Sequence, residues 1–233
     1  MRILSFETSA KAASVALLQD GALLGEYFQN SGQTHSRTVM QMAEDLLRNC
    51  DLTAADVDAV ACASGPGSFT GVRIGLAAAK GFAWGRQIPL IGVSTLEAMA
   101  KNVAAADGIY CAAMDARRNQ VYTAAFEQKN GEFRRLFDDS ALSIAELGQR
   151  LADLQGPIYL VGDGAALCSR TLEDVSGLVL LPEHLRMQRA AGAALLAWET
   201  LQSGEITPAK DIAPNYLRLS QAERERQKKL EME

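Results

Sequence analysis

The chain has 233 residues, 48% of them hydrophobic and 22% charged, with a net charge of −5. That is the composition of a globular protein with enough apolar residues for one or two cores. It argues against a large electrostatic footprint for nucleic acid on this chain alone, leaving open RNA in a complex whose other subunits supply the basic surface, and no apolar run approaches the ~20 residues of a membrane-spanning helix. Cys50, Cys62, Cys111 and Cys168 lie far apart without a CxxC pair, so they read as reduced thiols of a cytoplasmic protein. The opening MRILSFETS enters a strand pattern with no apolar leader, so no secretory signal is expected.

In chain order, Arg2–Phe6 reads as a strand, followed by a loop at Glu7-Thr8-Ser9. Ala13–Gln19 and Ala22–Phe28 form a hairpin about Asp20-Gly21. His35–Asn49 reads as a helix with Val39, Met42, Ala43, Leu46 and Cys50 on one stripe, leaving Met40 and Leu47 off it. Thr53 and Asp56 have capping-box spacing over a short turn. The strand Ala59–Ala63 then meets the glycine turn Ser64–Gly71 and a helix over Val72–Trp84. The strand Pro89–Val93 and a helix capped by Ser94 follow.

From Ile109 the order repeats. A strand (Ile109–Met114) ends at Asp115, a polar loop (Ala116–Asn119) leads to a strand (Gln120–Glu127), and Asn130-Gly131 turns into Glu132–Phe137. Glu7 precedes Gly21 by 14 residues, as Asp115 precedes Gly131 by 16. Ile158–Val161 runs into Gly162-Asp163-Gly164 as Ala59–Ala63 runs into Gly65-Pro66-Gly67. Helices are expected near Ser143–Leu154, Ala165–Asp174 and Gln188–Gln202, the last ended by Gly204. Pro208 and Pro214 flank an extended connection, and Gln221–Glu233 reads as a solvated, mixed-charge end. Two related halves divide at residues 1–104 and 105–233. Each adds an antiparallel hairpin to a parallel strand and helices. That layout resembles the two-lobed α/β fold of actin, heat-shock-70 and sugar kinases, duplicated ribonuclease H-like lobes with nucleotide in the cleft between them.

The glycine turn is not a phosphate loop of a known pattern. Gly71 is followed by Val72-Arg73 rather than Lys-Ser/Thr, and Gly65-x-Gly67 finds its third glycine one residue late. Thr8, Ser9, Lys11, Gly65, Gly67 and Asp115 are candidates for a degenerate nucleotide site, against a turn needed only for tight strand-to-helix packing. The hairpin loops Lys11-Ala12-Ala13 and Arg117-Arg118-Asn119 bring no glycines to phosphates. His35 and His184 are the only histidines and have no ligand-spaced partner, so no metal is expected. Ser68 sits in G-S-F-T-G, which is not a nucleophile elbow. No catalytic residue and no cofactor are assigned.

The helix after the turn is apolar almost all round, with Gly71, Gly75 and Ala79 every four residues. Interior glycine costs roughly 1 kcal/mol against alanine, so close helix approach must offset it. Either the helix is buried within the monomer, or one side is covered by a partner together with Met40 and Leu47. On the second reading, Gly75→Leu should abolish pairing and leave the fold largely intact.

At GPGSFTGVRIGLAAAKG the chain is similar to the bacterial TsaB (YeaZ) family. The match continues through ETSAKAASVAL (7–17), His35-Ser36, IPLIGVSTLEA (88–98), MDARRNQVY (114–122) and PNYLR (214–218). Glu7 stands where that family commonly has Asp. The resemblance implies an actin-like fold without a competent ATPase or metal site. It implies a non-catalytic subunit pairing with TsaD, a catalytic paralogue that transfers threonylcarbamoyl to the adenosine 3′ of the anticodon in tRNAs reading A-starting codons. The ATPase TsaE would join the complex, a homodimer is possible, and tRNA is met only through the complex. The pairing surface carried over takes His35, Arg37, Met40, Gln41, Glu44 and Leu47 from one helix and Gly71, Ile74, Gly75, Ala78 and Phe82 from the other. The alternative is a self-sufficient actin-fold phosphotransferase or, further off, a hydrolase.

Overall fold

The structure is a computed structural model and describes residues 1–204 and 208–218; the charged segment 221–233 lies outside the described residues. It has two five-stranded sheets. In the first, β1 (Arg2–Glu7), β2 (Ala13–Gln19) and β3 (Ala22–Gln29) form an antiparallel meander. Parallel β4 (Ala59–Ala63) and β5 (Leu90–Val93) extend it on the other side of β1, giving the order β3-β2-β1-β4-β5.

The second sheet has the same plan. β6 (Gly108–Asp115), β7 (Gln120–Lys129) and β8 (Glu132–Ser143) form the meander, and β9 (Ile158–Val161) and β10 (Leu178–Leu180) run parallel, giving β10-β9-β6-β7-β8. The duplication read from hairpin spacing is thus a duplication of topology. Two elements carry no sequence signature, β10 and the single-turn α6 (Glu183–Arg186). Three residues of strand and four of helix are too short for a periodicity to register. β8 also runs past Phe137 to Ser143 because it keeps pairing with β7 across two register shifts.

Period-two alternation sorts the first sheet into two faces. Leu4, Phe6, Val15, Leu17, Val60 and Cys62 enter one core with α1 (His35–Asn49) and α2 (Phe69–Arg86). Ile3, Leu18, Ala59 and Ala61 enter another with α7 (Ala190–Ser203). α3 (Thr95–Val103) puts Leu96, Met99 and Ala100 against Tyr110, Ala112 and Phe126 of the second sheet. α4 (Ile144–Ala152) and α5 (Ala165–Thr171) cover that sheet's far face. The layers therefore run α1/α2, first sheet, α7/α3, second sheet, α4/α5.

The caps follow the expected residues. Thr53 with Asp56, and Ser143 with Glu146, form reciprocal capping boxes. Thr34 occupies the N-cap of α1 without a side-chain hydrogen bond. Ser94 caps α3 by accepting from the Glu97 amide, while the Glu97 carboxylate is drawn away to Arg135. α2 starts three residues before Val72 because the Ser68 hydroxyl accepts from the Gly71 amide at 3.2 Å.

The chain division at residue 104 separates the sheets but not all that packs on them. α7 lies on β1, β2, β4 and β5. Ile212 enters the first core and the Asn215 amide donates to the Ser64 carbonyl at 2.7 Å. Glu26 anchors the start of α7, accepting from Ser14 Oγ, the Ala191 amide and Arg189.

Candidate functional site

Between the sheets lies a cleft of about 410 Å³. Its walls are the β1–β2 loop, the start of α2, the β6–β7 hairpin, Asp163 and the segment ending at Arg218. Four of the six nucleotide-site candidates meet there: Ser9, Lys11, Gly67 and Asp115. The other two lie beneath the surface. Thr8 is buried and its hydroxyl donates to the Gly71 carbonyl at 2.8 Å. Gly65 is buried under the returning chain, where a Cβ would lie 2.6 Å from the Asn215 carbonyl. Gly67 serves close approach, since a Cβ there would lie 2.6 Å from the Ser9 carbonyl.

The acids of the cleft differ in burial. Glu7 is fully buried behind it, and burial pushes its pKa up to about 7 against the pull of a 2.6 Å hydrogen bond from the Ser9 amide. Burial also raises Asp163, whose carboxylate accepts from Gln188 Nε2 at 3.1 Å. Asp115 is exposed and accepts from the Arg117 amide at 2.7 Å. Arg117, Arg118 and Asn119 all take left-handed backbone, with φ of 63°, 56° and 55°. Among the described residues, no group of three or more His, Cys, Asp or Glu is arranged to hold a metal ion.

The second candidate surface lies on α1 and α2. Arg37, Met40, Gln41, Glu44, Leu47 and Phe82 together line a groove of about 790 Å³, closed on one side by the turn after α1. Ile74 and Ala78 are half-buried against the first core. His35 points elsewhere, its Nε2 donating to the Ala10 carbonyl at 2.8 Å beside the cleft.

Gly71 and Gly75 require a correction. Both are buried and face the β1–β2 loop, where a Cβ would overlap the Thr8 carbonyl and the Thr8 hydroxyl respectively. Their smallness lets α2 pack against the β1–β2 loop and its own sheet. The glycines of α2 that face open space are Gly81 and Gly85, either side of Trp84, which is 86% exposed. The four-residue glycine spacing marks the inner face of the helix. The signal for the outer face is a tryptophan, which that spacing does not include.

Two sheets of one topology, helices on their outer faces and a cleft between them define the two-lobed, actin-like class of α/β proteins. A family model described as "TsaD: tRNA N6-adenosine threonylcarbamoyltransferase" matches residues 28–226. The tRNA threonylcarbamoyladenosine biosynthesis protein TsaB of Bacillus subtilis is 34% identical over 227 residues, covering 96% of each chain. The chain belongs to the TsaB family of tRNA threonylcarbamoyladenosine biosynthesis proteins. YeaZ from Pseudomonas aeruginosa has a similar structure, with a TM-score of 0.77 and 27% identity over 93% of this chain and 99% of that one. Component A of (R)-2-hydroxyglutaryl-CoA dehydratase from Acidaminococcus fermentans shares the fold alone, with a TM-score of 0.52 and 14% identity over 87% of this chain and 99% of that one. Among the described residues no helix is long and apolar enough to cross a membrane.

Proposed function

We propose that this chain is a non-catalytic subunit of a tRNA threonylcarbamoyladenosine-forming complex in the cytoplasm. It docks through α1 and α2 on a TsaD-like catalytic paralogue, which modifies the adenosine 3′ of the anticodon in tRNAs reading A-starting codons. A TsaE-like ATPase joins the assembled pair, and in the absence of the paralogue the same helices pair two copies of the chain.

The observation that carries the reading is the outer face of the two helices. Met40, 45% exposed, lies in a groove with Phe82, and Trp84 stands 86% exposed in the last turn of α2. Large apolar side chains exposed to water, as Met40 and Trp84 are, suit a contact surface. The cleft supports the non-catalytic part. Its hairpin loops carry Lys11-Ala12-Ala13 and Arg117-Arg118-Asn119, so side chains stand where phosphate-cradling backbone would need glycines.

Co-purification of the tagged chain with the paralogue from its own cell extract tests the pairing, and ATP turnover by the purified chain tests the rest. Sustained, magnesium-dependent hydrolysis that disappears in Asp115→Asn would establish a self-sufficient phosphotransferase instead.

A further inference from the structure

We propose that the mouth of the inter-lobe cleft is a docking surface for the phosphate backbone of RNA, formed by Lys11, Arg73, Arg117, Arg118 and Arg218 around the stacked rings of Phe69 and Tyr216. The inference rests on the reading of the chain as a subunit of a tRNA-modifying complex. It adds a direct contact within that complex to an RNA otherwise met through other subunits.

Four separate elements carry these cations, Arg118 being the exposed neighbour of Arg117 on the hairpin. Lys11 comes from the β1–β2 loop, Arg73 from α2, Arg117 and Arg118 from the β6–β7 hairpin, and Arg218 from the returning chain. Lys11, Arg117, Arg218 and Phe69 line one cleft. The Arg218 guanidinium donates to the Ala116 carbonyl at 2.7 Å, which holds the returning chain against the hairpin.

Among the described residues none of the five makes an ion pair, whereas Arg2, Arg48, Arg134, Arg135 and Arg189 elsewhere all do. On a chain of net charge −5 that is a local concentration of positive charge without an ion-pair partner among the described residues. The two arginines of the hairpin are held on left-handed backbone, which residues with a Cβ adopt sparingly and which gathers at functional loops. Two carboxylates, Asp115 and Asp163, lie in the same cleft, so the five cations outnumber the acids beside them. Asp115 accepts from the Arg117 amide, and Asp163 is raised by burial and bonded to Gln188.

The aromatic pair favours RNA over an acidic protein. Phe69 and Tyr216 stack at 4.4 Å and 20°, and Arg73 lies 5.9 and 5.4 Å from their centroids while donating to the Tyr216 hydroxyl at 2.6 Å. Tyr216 is 38% exposed. The exposed part of Tyr216 beside guanidinium groups suits an unstacked base attached to the phosphates that the cations neutralise.

The test uses the reconstituted complex of the full chain with its TsaD-like paralogue, and a full-length tRNA transcript titrated over a salt series. Lys11→Glu with Arg118→Glu changes two side chains that make no hydrogen bond among the described residues. The expected result is a loss of affinity of roughly tenfold or more, and a log K against log salt plot shallower by about 1.5. Tyr216→Leu should weaken binding severalfold at an unchanged slope. Pairing with the paralogue, followed separately by size-exclusion chromatography, should be unaltered. Wild-type affinity and slope in the charge variant, with pairing intact, would overturn the proposal, as would a variant that loses pairing but keeps RNA affinity. If the wild-type chain itself fails to pair, the subunit reading falls. The same titration on the chain alone then decides, a loss in the variant supporting the surface and an absence of wild-type binding overturning it.

Discussion

The hydroxyl of Thr8 donates to the carbonyl of Gly71 at 2.8 Å, and a Cβ on Gly75, one turn further along α2, would overlap that same hydroxyl. The β1–β2 loop and the helix are therefore fitted to each other through two glycines and one threonine. Gly75→Ala is expected to destabilise the chain by about 1–3 kcal/mol, the usual cost of overpacking a tight contact. Combined with Thr8→Ala, which removes the overlapping oxygen, the loss should be smaller than the sum of the two single losses by at least about 0.5 kcal/mol. Urea unfolding of the four proteins measures the coupling. An additive result would mean that α2 does not rest on Thr8.

Glu7 makes stability depend on pH in an unusual direction. Its pKa is about 7 in the folded chain and 4.5 when unfolded, so between those values the folded state holds a proton that the unfolded state has released. The stability associated with the neutral carboxyl is thus fully present below pH 4.5 and lost as pH rises through 7. The full swing is about 3 kcal/mol. Glu7→Gln keeps an oxygen for the Ser9 amide and never ionises. Its unfolding free energy should exceed that of the parent at pH 8 and converge on it toward pH 4.5. Parallel curves for the two proteins across this range would show that Glu7 titrates alike in the folded and the unfolded chain.

Much of this architecture is legible in the sequence, and particular residues show why. Asp20-Gly21 and Asn130-Gly131 mark two hairpins because both turns put residues at positive φ, as the structure has them. The repeat of the hairpins carries the two-lobed fold with it. What cannot be read is the direction a helical residue faces when a helix is apolar all round. In α1, Val39, Met42, Ala43 and Leu46 are buried and Met40 is exposed, since a polar face breaks the symmetry, but Leu47, which the stripe leaves out, is buried with them in the first core. In α2 nothing in the composition separates Gly75, pressed against Thr8, from Gly81, open to solvent. The cleft is legible by half. Ser9, Lys11, Gly67 and Asp115 lie close to turns with a sequence signature, whereas Arg218 reaches Ala116 across 102 residues and Asp163 enters from the other side.

The outer face of α2 offers a test of pairing free of the flaw in Gly75→Leu. A Cβ on Gly81 would have nothing within 4 Å and the residue is exposed, so a side chain can be added there without a clash at its base. Gly81→Leu should leave the free chain as stable as the parent or up to about 1 kcal/mol more stable, because an exposed helical glycine is replaced by a good helix former. The same change puts a branched side chain on the proposed contact surface and should weaken association with the paralogue at least tenfold. Trp84→Ala should cost association about 2 kcal/mol or more, as truncated aromatic anchors do. Its melting temperature should stay near that of the parent, since 86% of the residue is already in water. Isothermal titration with the paralogue and thermal melts of the free chains separate the two effects. Unchanged association in both variants would remove α2 from the surface.

Glu26 joins parts of the chain that are 165 residues apart. Its carboxylate takes hydrogen bonds from the Ser14 hydroxyl at 2.8 Å and the Ala191 amide at 3.1 Å, and pairs with Arg189 at 2.6 Å. The Ala190 amide completes the arrangement by donating to Ser14 Oγ at 3.2 Å. An unsatisfied helix N-terminus is thereby supplied with acceptors by β2 and β3, and a negative charge sits at the positive end of α7. Arg189 also lies 4.8 Å from the Phe28 ring, so part of its contact survives any change at Glu26. Glu26→Ala leaves the Ala191 amide without its acceptor and the guanidinium without its partner, at a cost of about 2 kcal/mol. Arg189 is partly exposed, which holds the figure below that of a wholly buried pair. Glu26→Gln, which keeps an acceptor oxygen, should lose less than half as much. The damage should be local, with amide exchange accelerated over Ala190–Ala194 and little altered in the second sheet. Equal loss of protection in both lobes would instead mean that α7 and the two sheets unfold as one cooperative unit.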